Sequence, residues 1–503
     1  MIQTIQQAVV PHDQYQIELK LDYELLKGKK THYQVETYIF VPRTLGISKE
    51  TYPKRYFYND LLNYIRFKTP TLILRDFDVS PISPIQSIRA TISQPGWVTD
   101  QNQIQTLVGQ LKLLAAMLKS AIREHIDHLR NQLKSAPDGT SALLIKNLVE
   151  EFLSSTAQIS ETYRGFYNDF SLPNVNEQIL TGYTFADESI SVLIEEGLVE
   201  LLELVDGHLN SDELVELHER LCCRVREETH YRWSKGYESI LEMDSDNEAY
   251  VYRTNILKKY ASSILYLSTD MQREGQRLEH MTQAIAAGIA MIFATAIAFY
   301  FQSLYGNLTV PFFAALVVGY MFKDRIKEIG RSFFANQLHN IMHDRRIAIY
   351  TQDEKHCIGV LREKMSILPE DDLPRRIREA RNCDRFVQME NDGAGETVIR
   401  YTKDIVLYAD AIRNLVGETS KVTAINDIIR YDIRSLLSKM DNPMQERLML
   451  QQDKLVSVAT HKVYHVNLIT KYASHTPEKD KTYRRHRLIL NRSGIKRIEP
   501  VSL

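Results

Sequence analysis

The stretch from Ala284 to Phe322, AIAAGIAMIFATAIAFYFQSLYGNLTVPFFAALVVGYMF, contains no Asp, Glu, Lys or Arg, although the chain as a whole is 25% charged. A bilayer core is about 30 Å thick, and a helix rises about 1.5 Å per residue. Spans at about 284–304 and 308–322, joined by a Gly-Asn turn, therefore predict a transmembrane helical hairpin within residues 281–322. The alternative is a pair of apolar core helices in a soluble fold.

The charges around this stretch predict its orientation. Arg273 and Arg277 precede it, Lys323 and Arg325 follow it, and the connecting turn carries no charge. Basic residues remain on the cytoplasmic side of a membrane. The sequence therefore predicts a multi-pass protein of the cell (inner) membrane with both termini in the cytoplasm.

Small residues recur every four positions in both predicted spans, and such ridges allow helices to approach closely in lipid. The first interpretation is that the two spans pack on each other, and the alternative is that the ridge forms a homo-oligomer. The residues concerned are Ala286, Ala290, Ala294, Ala298, Ala315 and Gly319.

The remaining chain predicts an α+β multidomain membrane protein. A β-containing N-terminal unit is expected at residues 1–98, and a bundle of long, coiled-coil-like helices at 99–280. A cytoplasmic α+β region is expected at 323–503. Within the first unit, Tyr15–Leu26 and Thr31–Pro42 alternate apolar and polar residues, which predicts a β-hairpin.

The distribution of charge separates the two flanking regions. Residues 1–280 contain 29 basic and 39 acidic side chains, and residues 323–503 contain 33 basic and 25 acidic ones. Opposite net charges allow the two regions to attract each other, or the basic region to face anionic lipid or nucleic acid. We expect nucleic acid not to be the partner.

Two weak patterns suggest metal ligands. Asp76 and Asp78 form a DxD after an apolar run, and His339 and His343 lie four residues apart on a predicted helix. Carboxylates after a strand can bind a divalent cation, and two histidines one turn apart supply half of a zinc site. The alternative for both pairs is an ordinary polar surface.

The basic stretch LPRRIREARNCDRF, residues 373–386, predicts a short helix that contacts anionic lipid headgroups. The alternative is a solvated helix face. Its arginines are Arg375, Arg376, Arg378, Arg381 and Arg385.

The sequence contains no nucleotide-binding glycine loop, no nucleophile elbow, and no cysteine spacing typical of zinc or iron–sulfur sites. No cofactor is predicted, and the start of the chain lacks the pattern of a signal peptide. The architecture favours a membrane-tethered cytoplasmic scaffold, regulator or signalling component that binds a cytoplasmic protein. A membrane-bound enzyme acting near the inner surface, and an oligomeric channel or membrane-disrupting effector, are the alternatives.

Overall fold

The chain has a mixed α+β fold with several sheets and many helices. A computed structural model describes residues 5–25, 30–135, 141–207, 212–306, 309–382, 395–408, 424–474 and 481–503. The chain forms two compact units, each discontinuous in sequence. The first unit contains Met1–Tyr64, Ser268–Ile412 and Asp427–Leu503, and the second contains Ile65–Leu267 and Arg413–Asn426.

The first unit is built on an eight-stranded antiparallel sheet. In spatial order its strands are β14 (Gly494–Val501), β13 (Lys481–Asn491), β12 (Tyr464–Ser474), β3 (Lys30–Pro42), β8 (Glu396–Tyr408), β7 (Cys357–Leu368), β6 (Arg345–Tyr350) and β5 (Ser268–Arg273).

The position of β3 explains why the units differ from the four predicted regions. Ile39 of β3 pairs with Ile399 of β8 on one side and with Leu468 of β12 on the other. An N-terminal strand is thus central to a sheet made otherwise of later segments. The predicted boundaries 1–98 and 323–503 separate strands that hydrogen-bond to each other, because pairing between distant segments leaves no local signal.

A smaller sheet has the order β1 (Ile5–Pro11), β2 (Gln16–Glu24), β9 (Ala424–Asp432) and β4 (Leu61–Phe67). The two segments of the predicted hairpin are therefore strands, but they belong to different sheets. Side chains still connect them. The rings of Tyr23 and Tyr33 stack with centroids 5.3 Å apart, and the Tyr33 hydroxyl donates to the carbonyl oxygen of Glu24 at 2.6 Å.

Helices make up most of the second unit. These are α2 (Pro84–Ile92), α3 (Gln101–Ser135), α4 (Ser141–Gly165), α5 (Tyr167–Phe170), α6 (Glu177–Asp206), α7 (Asp212–Lys235) and α8 (Glu248–Ser263). In the first unit, α1 spans Lys54–Asn59, α11 spans Arg375–Arg381 and α12 spans Arg434–Leu437. A third sheet pairs β10 (Met444–Gln451) with β11 (Lys454–His461), and both of its strands are exposed along their whole length.

The apolar runs in Thr69–Val79 and Ile85–Ser93 predict two further strands, but neither segment forms a strand. Ile85–Ser93 lies mostly in α2, because the Ser83 hydroxyl accepts a hydrogen bond from the Ile85 amide and Pro84 begins the helix. Thr69–Val79 contains a single 3-10 turn. Short apolar runs fit either periodicity, and at Ile85–Ser93 the cap at Ser83 favours the helix.

Close packing at Gly197 gives a stability prediction. A Cβ at Gly197 of α6 would lie 2.8 Å from Phe152 Cζ and 2.9 Å from Ile122 Cγ2, whereas one at Gly109 of α3 would meet Ile264 Cδ1 at 3.5 Å. Alanine inside a helix normally gains about 0.5–1 kcal/mol over glycine, and overpacking costs about 1–3 kcal/mol. Gly197→Ala should lower the unfolding free energy and Gly109→Ala should raise it, as measured by urea denaturation. A gain at both sites would contradict the packing.

Strands β5 and β6 are joined by two long helices in place of a tight turn. The last pair of the β5–β6 ladder is Arg273 with Arg345. Between these residues lie α9 (Gln276–Tyr305) and α10 (Val310–Ile341). Within the described residues, one helix is long and apolar enough to cross a membrane, at Leu278–Tyr305, with a mean hydropathy of 2.1.

Candidate functional site

The helices α9 and α10 pack against each other along their small residues. Ala286 and Ala290 of α9 are 2% and 1% exposed. A Cβ at Gly330 of α10 would lie 3.2 Å from Ala286 Cβ, and a Cβ at Gly319 would lie 3.2 Å from Ile297 Cγ2. From the first contact to the second, the residue number rises in α9 and falls in α10, so the two helices are antiparallel.

Two members of the predicted ridge, Ala286 and Gly319, lie at the contact between α9 and α10. Ala294, Ala298 and Ala315 are half-buried beside the fully buried members of the ridge, and Gly319 is buried. Close approach of the backbones is the expected consequence of small residues at these positions.

The outer surface of this helix pair is apolar and exposed. Only 11% of the most apolar window of α9 is buried. Ile292 is 71% exposed, Phe299 67%, Phe313 68% and Val310 82%. A core helix in a soluble protein would be largely covered, and exposed apolar patches of this extent mark a contact with lipid or with another protein.

The antiparallel register places charged residues of α10 beside apolar residues of α9. Since Ala286 meets Gly330 and Ile297 meets Gly319, residues 285–293 of α9 lie level with residues 323–331 of α10. The latter range contains six charged side chains, which are Lys323, Asp324, Arg325, Lys327, Glu328 and Arg331. The part of the pair in which neither helix has a charged residue is formed by residues 294–305 of α9 and residues 311–322 of α10. It is about 18 Å long.

An apolar groove of about 560 Å³ lies between the uncharged parts of the two helices. It is lined by Phe293, Ile297, Phe301, Pro311, Ala314, Ala315, Val318, Gly319 and Phe322. A groove of this composition can hold hydrocarbon, such as part of an acyl chain, and offers nothing to a polar ligand.

Asp344 fastens the end of α10 to the first unit. Its carboxylate accepts hydrogen bonds from Lys54 Nζ at 2.6 Å, from the Tyr58 hydroxyl at 3.0 Å and from the Met365 amide at 2.8 Å. Burial and the neighbouring Asp344 carboxylate raise the pKa of Tyr58 above its ordinary value, so this phenol remains a donor. The helix pair is thus anchored directly to α1 and β7.

A second cluster joins the start of α9 to the sheet. The His343 ring nitrogens lie 2.7 Å from Asp404 Oδ2 and 3.4 Å from Glu274 Oε2, and Arg362 Nε donates to Glu274 Oε1 at 3.0 Å. Burial alone would raise the pKa of Asp404, but the hydrogen bond and charge of His343, with the charges of His32 and Arg362, hold that pKa below its ordinary value.

A lowered pKa at Asp404 predicts how acid affects stability. Above the unfolded value of 3.8 the ionised carboxylate stabilises the fold, and this contribution is lost as the pH falls through the lower folded pKa. Asp404→Asn should reduce stability by about 1–2 kcal/mol at neutral pH and by less in strong acid. Urea denaturation at several pH values measures this, and an equal loss at every pH would contradict the assignment.

The two clusters border a cavity of about 940 Å³ at the base of the helix pair. Its lining mixes cationic, acidic and apolar side chains, which are Lys54, Arg55, Tyr58, Met271, Gln272, Arg273, Glu274, Gly275, Glu279, Met342, His343, Asp344 and Arg345. The acidic members Glu274, Glu279 and Asp344 are already paired with basic residues.

Of the candidate metal ligands, the structure describes the side chains of Asp76, Asp78 and His343, and none of these three belongs to a cluster that could hold a metal ion. Asp76 ends a 3-10 turn, while Asp78 pairs with Arg89 Nη2 at 2.9 Å and accepts from Gln158 Nε2 at 3.2 Å. His343 lies beyond the end of α10 in the ion-pair cluster, and the side chain of His339 lies outside the described part of the structure. Across the described residues, no three His, Cys, Asp or Glu side chains could hold a metal ion.

The arginines of residues 373–386 have different environments. Arg375 and Arg376 are exposed, and Arg375 pairs with Glu379 at 2.8 Å. Arg378 is also exposed and donates to backbone carbonyls of residues 370 and 371. Arg381 is 2% exposed and binds the buried Glu396 with two guanidinium nitrogens. It therefore does not reach the surface, and Arg385 lies outside the described residues.

A buried ion cluster was not predicted from the sequence. Lys403 Nζ lies 2.6 Å from Asp427 Oδ2 and 3.9 Å from Glu363 Oε1, and all three residues are 1% exposed. The Tyr23 hydroxyl donates to Asp427 at 3.1 Å, and the Tyr401 hydroxyl donates to Glu363 at 2.5 Å. Burial raises the pKa of both tyrosines, so they stay neutral donors. The charged side chains of this cluster therefore pair with one another inside the core of the first unit.

The helical unit contains a second buried polar network. Asp187 accepts from the hydroxyls of Tyr231 and Tyr237, each at 2.8 Å, and Glu228 accepts from Arg164 at 2.7 Å and from Ser191 at 2.7 Å. Burial raises the pKa of Asp187 despite the two hydrogen bonds and the Arg164 charge. These contacts connect α4, α6 and α7, so their evident role is to fix the packing of the bundle.

Comparison of this chain with protein-family models, with curated proteins and with solved structures finds no match. The functional argument therefore rests on the geometry of the chain itself.

Proposed function

We propose that this protein is a membrane-tethered cytoplasmic scaffold or regulator, and that α9 and α10 are its membrane anchor. The observation that carries this proposal is the exposed apolar surface of the helix pair, since only 11% of the α9 window is buried. Water around Phe299 and Phe313 would cost about 25 cal/mol for each Å² of apolar surface. Lipid removes this cost.

The anchor would meet hydrocarbon over residues 294–305 and 311–322, and its turn would lie at the outer surface. About 18 Å of charge-free helix is shorter than a typical bilayer core. Lys323 and Arg325 can extend toward the headgroups, and local thinning of the bilayer accommodates the remainder. The basic residues at the other end of the pair favour the cytoplasmic side for both termini.

The contacts at the cytoplasmic end of the helix pair support the proposal that the anchor holds the first unit in a fixed orientation. Asp344 binds Lys54, Tyr58 and the Met365 amide, and His343 binds Asp404. These contacts resist bending between the anchor and the large sheet, so the first unit would be held at a defined angle to the membrane. The exposed Arg375 and Arg376 of α11 are proposed contacts for anionic headgroups.

Fractionation of cells that express the intact chain tests the proposal. We expect the protein in the membrane pellet, resistant to alkaline carbonate and released by mild detergent. Tags at both termini should be accessible only after the cytoplasmic side is opened. Recovery of a monodisperse protein from the soluble fraction without detergent would contradict the anchor, and tags on opposite sides would contradict the hairpin.

A further inference from the structure

One face of α9 carries large apolar residues at intervals of seven. Leu278, Ile285, Ile292 and Phe299 are 48%, 51%, 71% and 67% exposed, and Ile289, which is 50% exposed, lies beside them. We call Leu278, Ile285, Ile289 and Ile292 the α9 stripe. A seven-residue repeat of apolar side chains is the pattern by which parallel helices pack in a left-handed coiled coil.

The α9 stripe does not face α10. Successive residues of a helix are about 100° apart, so Ile285 and Ile292 lie roughly a third of a turn from Ala286. Ala286 and Ala290 are residues of α9 that are buried on the side of α10. The stripe and the alanines therefore lie on different faces of α9, about a third of a turn apart, so α9 can bind α10 and another helix together.

Lipid is a poor cover for the stripe. Ile285 through Phe293 lie level with residues 323–331 of α10, as the Ala286–Gly330 contact shows. Asp324 and Glu328 are exposed at this level, and a charged side chain inside hydrocarbon costs about 2.5–3.5 kcal/mol even on the lower scale. The stripe therefore lies below the hydrocarbon layer, where its exposed isoleucines need a protein partner.

We infer that the α9 stripe binds the α9 stripe of a second copy of this chain, in a parallel two-fold pair. In such a pair the stripe of each copy packs against the stripe of the other, so the same residues bury both apolar surfaces. Gly288 lies next to the seam, and the space around its Cβ position is open, so the two helices can approach closely there. This inference places the copies in one membrane and rests on the proposed anchor, although the contact itself lies outside the lipid.

Disulfide crosslinking in membranes tests the pairing. The background is the full-length chain with its four cysteines replaced by serine. Ile285→Cys and Ile292→Cys, treated with a mild oxidant, should each give a covalent dimer about tenfold more abundant than Met291→Cys, a variant at a similarly exposed position about a third of a turn away from the seam. Equal crosslinking at all three positions, or none at Ile285 and Ile292, would overturn the inference. So would a crosslink to a different protein.

Mass measurement separates this inference from the proposed function. The chain in mild detergent should have the mass of a dimer, and Ile285→Asp/Ile292→Asp should be a monomer that still pellets with membranes. A wild-type monomer that pellets with membranes would overturn the dimer and leave the anchor standing. A crosslinked dimer that stays in the soluble fraction would overturn the anchor and leave the α9 contact standing.

Discussion

The double variant Phe299→Arg/Val317→Arg is expected to move from the membrane pellet to the soluble or aggregated fraction. The two positions are level with each other in the middle of the charge-free layer, and their side chains are 67% and 45% exposed. Each arginine at the centre of a bilayer costs about 2.5–3.5 kcal/mol. Together they should lower the partition constant between membrane and water by about 10⁴-fold, and carbonate extraction should then recover the variant outside the membrane pellet.

A control variant separates loss of lipid contact from general damage. Leu241→Arg introduces the same charge at a 62% exposed leucine in the second unit, and should leave fractionation unchanged. If the double variant remains in carbonate-washed membranes as fully as Leu241→Arg does, the helix pair is not embedded in lipid.

The second large effect is expected at Lys403. Lys403→Met removes the cation from the buried cluster and leaves Asp427 and Glu363 without their ion-pair partner. An uncompensated buried charge costs about 3–5 kcal/mol. We expect this loss in the unfolding free energy of the first unit, measured by denaturant titration in detergent with fluorescence detection.

Two comparisons make the Lys403 result specific. Lys454→Met, at an exposed position of β11, should change stability by less than about 0.5 kcal/mol. Lys403→Met/Asp427→Leu should recover much of the loss, since replacing both members of a buried pair by apolar residues is often neutral. A single variant as stable as the wild type would show that the cluster is not desolvated.

Local pattern was enough to predict the helices and many of the strands. The charge-free stretch predicted two helices joined near Gly306, and α9 and α10 lie there. The alternation in Thr31–Pro42 predicted a strand, and β3 covers it. Both signals depend only on neighbouring residues, which is why they could be detected.

The local patterns of apolar and polar residues did not show which distant strands pair with each other. β3 lies between β8 and β12 because of pairing with residues more than 350 positions away, and no alternation of apolar residues specifies such a partner. The predicted hairpin with Tyr15–Leu26 was wrong about the partner of this strand, because β2 and β3 belong to different sheets. Ile85–Ser93 differed for a local reason, since the cap at Ser83 favours a helix.

The candidate site was only partly visible in the sequence. His343 was singled out as a metal ligand, but the structure places it between Asp404 and Glu274. Lys403 was missed, although a signal existed. It alternates with Tyr401 and Ile405 on the buried face of β8, and a lysine at such a position needs a buried acid. The register of α9 against α10 could be learned only from the packed helices.

Spin labels on the helix pair test the central claim most directly. A label at Phe299 in the full-length protein, reconstituted into lipid vesicles, is compared with a label at the exposed Val251 of the second unit. We predict that the Phe299 label collides readily with oxygen and is shielded from a water-soluble nickel complex, while the Val251 label shows the reverse. A Phe299 label that the nickel complex reaches, or that neither reagent reaches, would contradict a lipid environment for this helix pair.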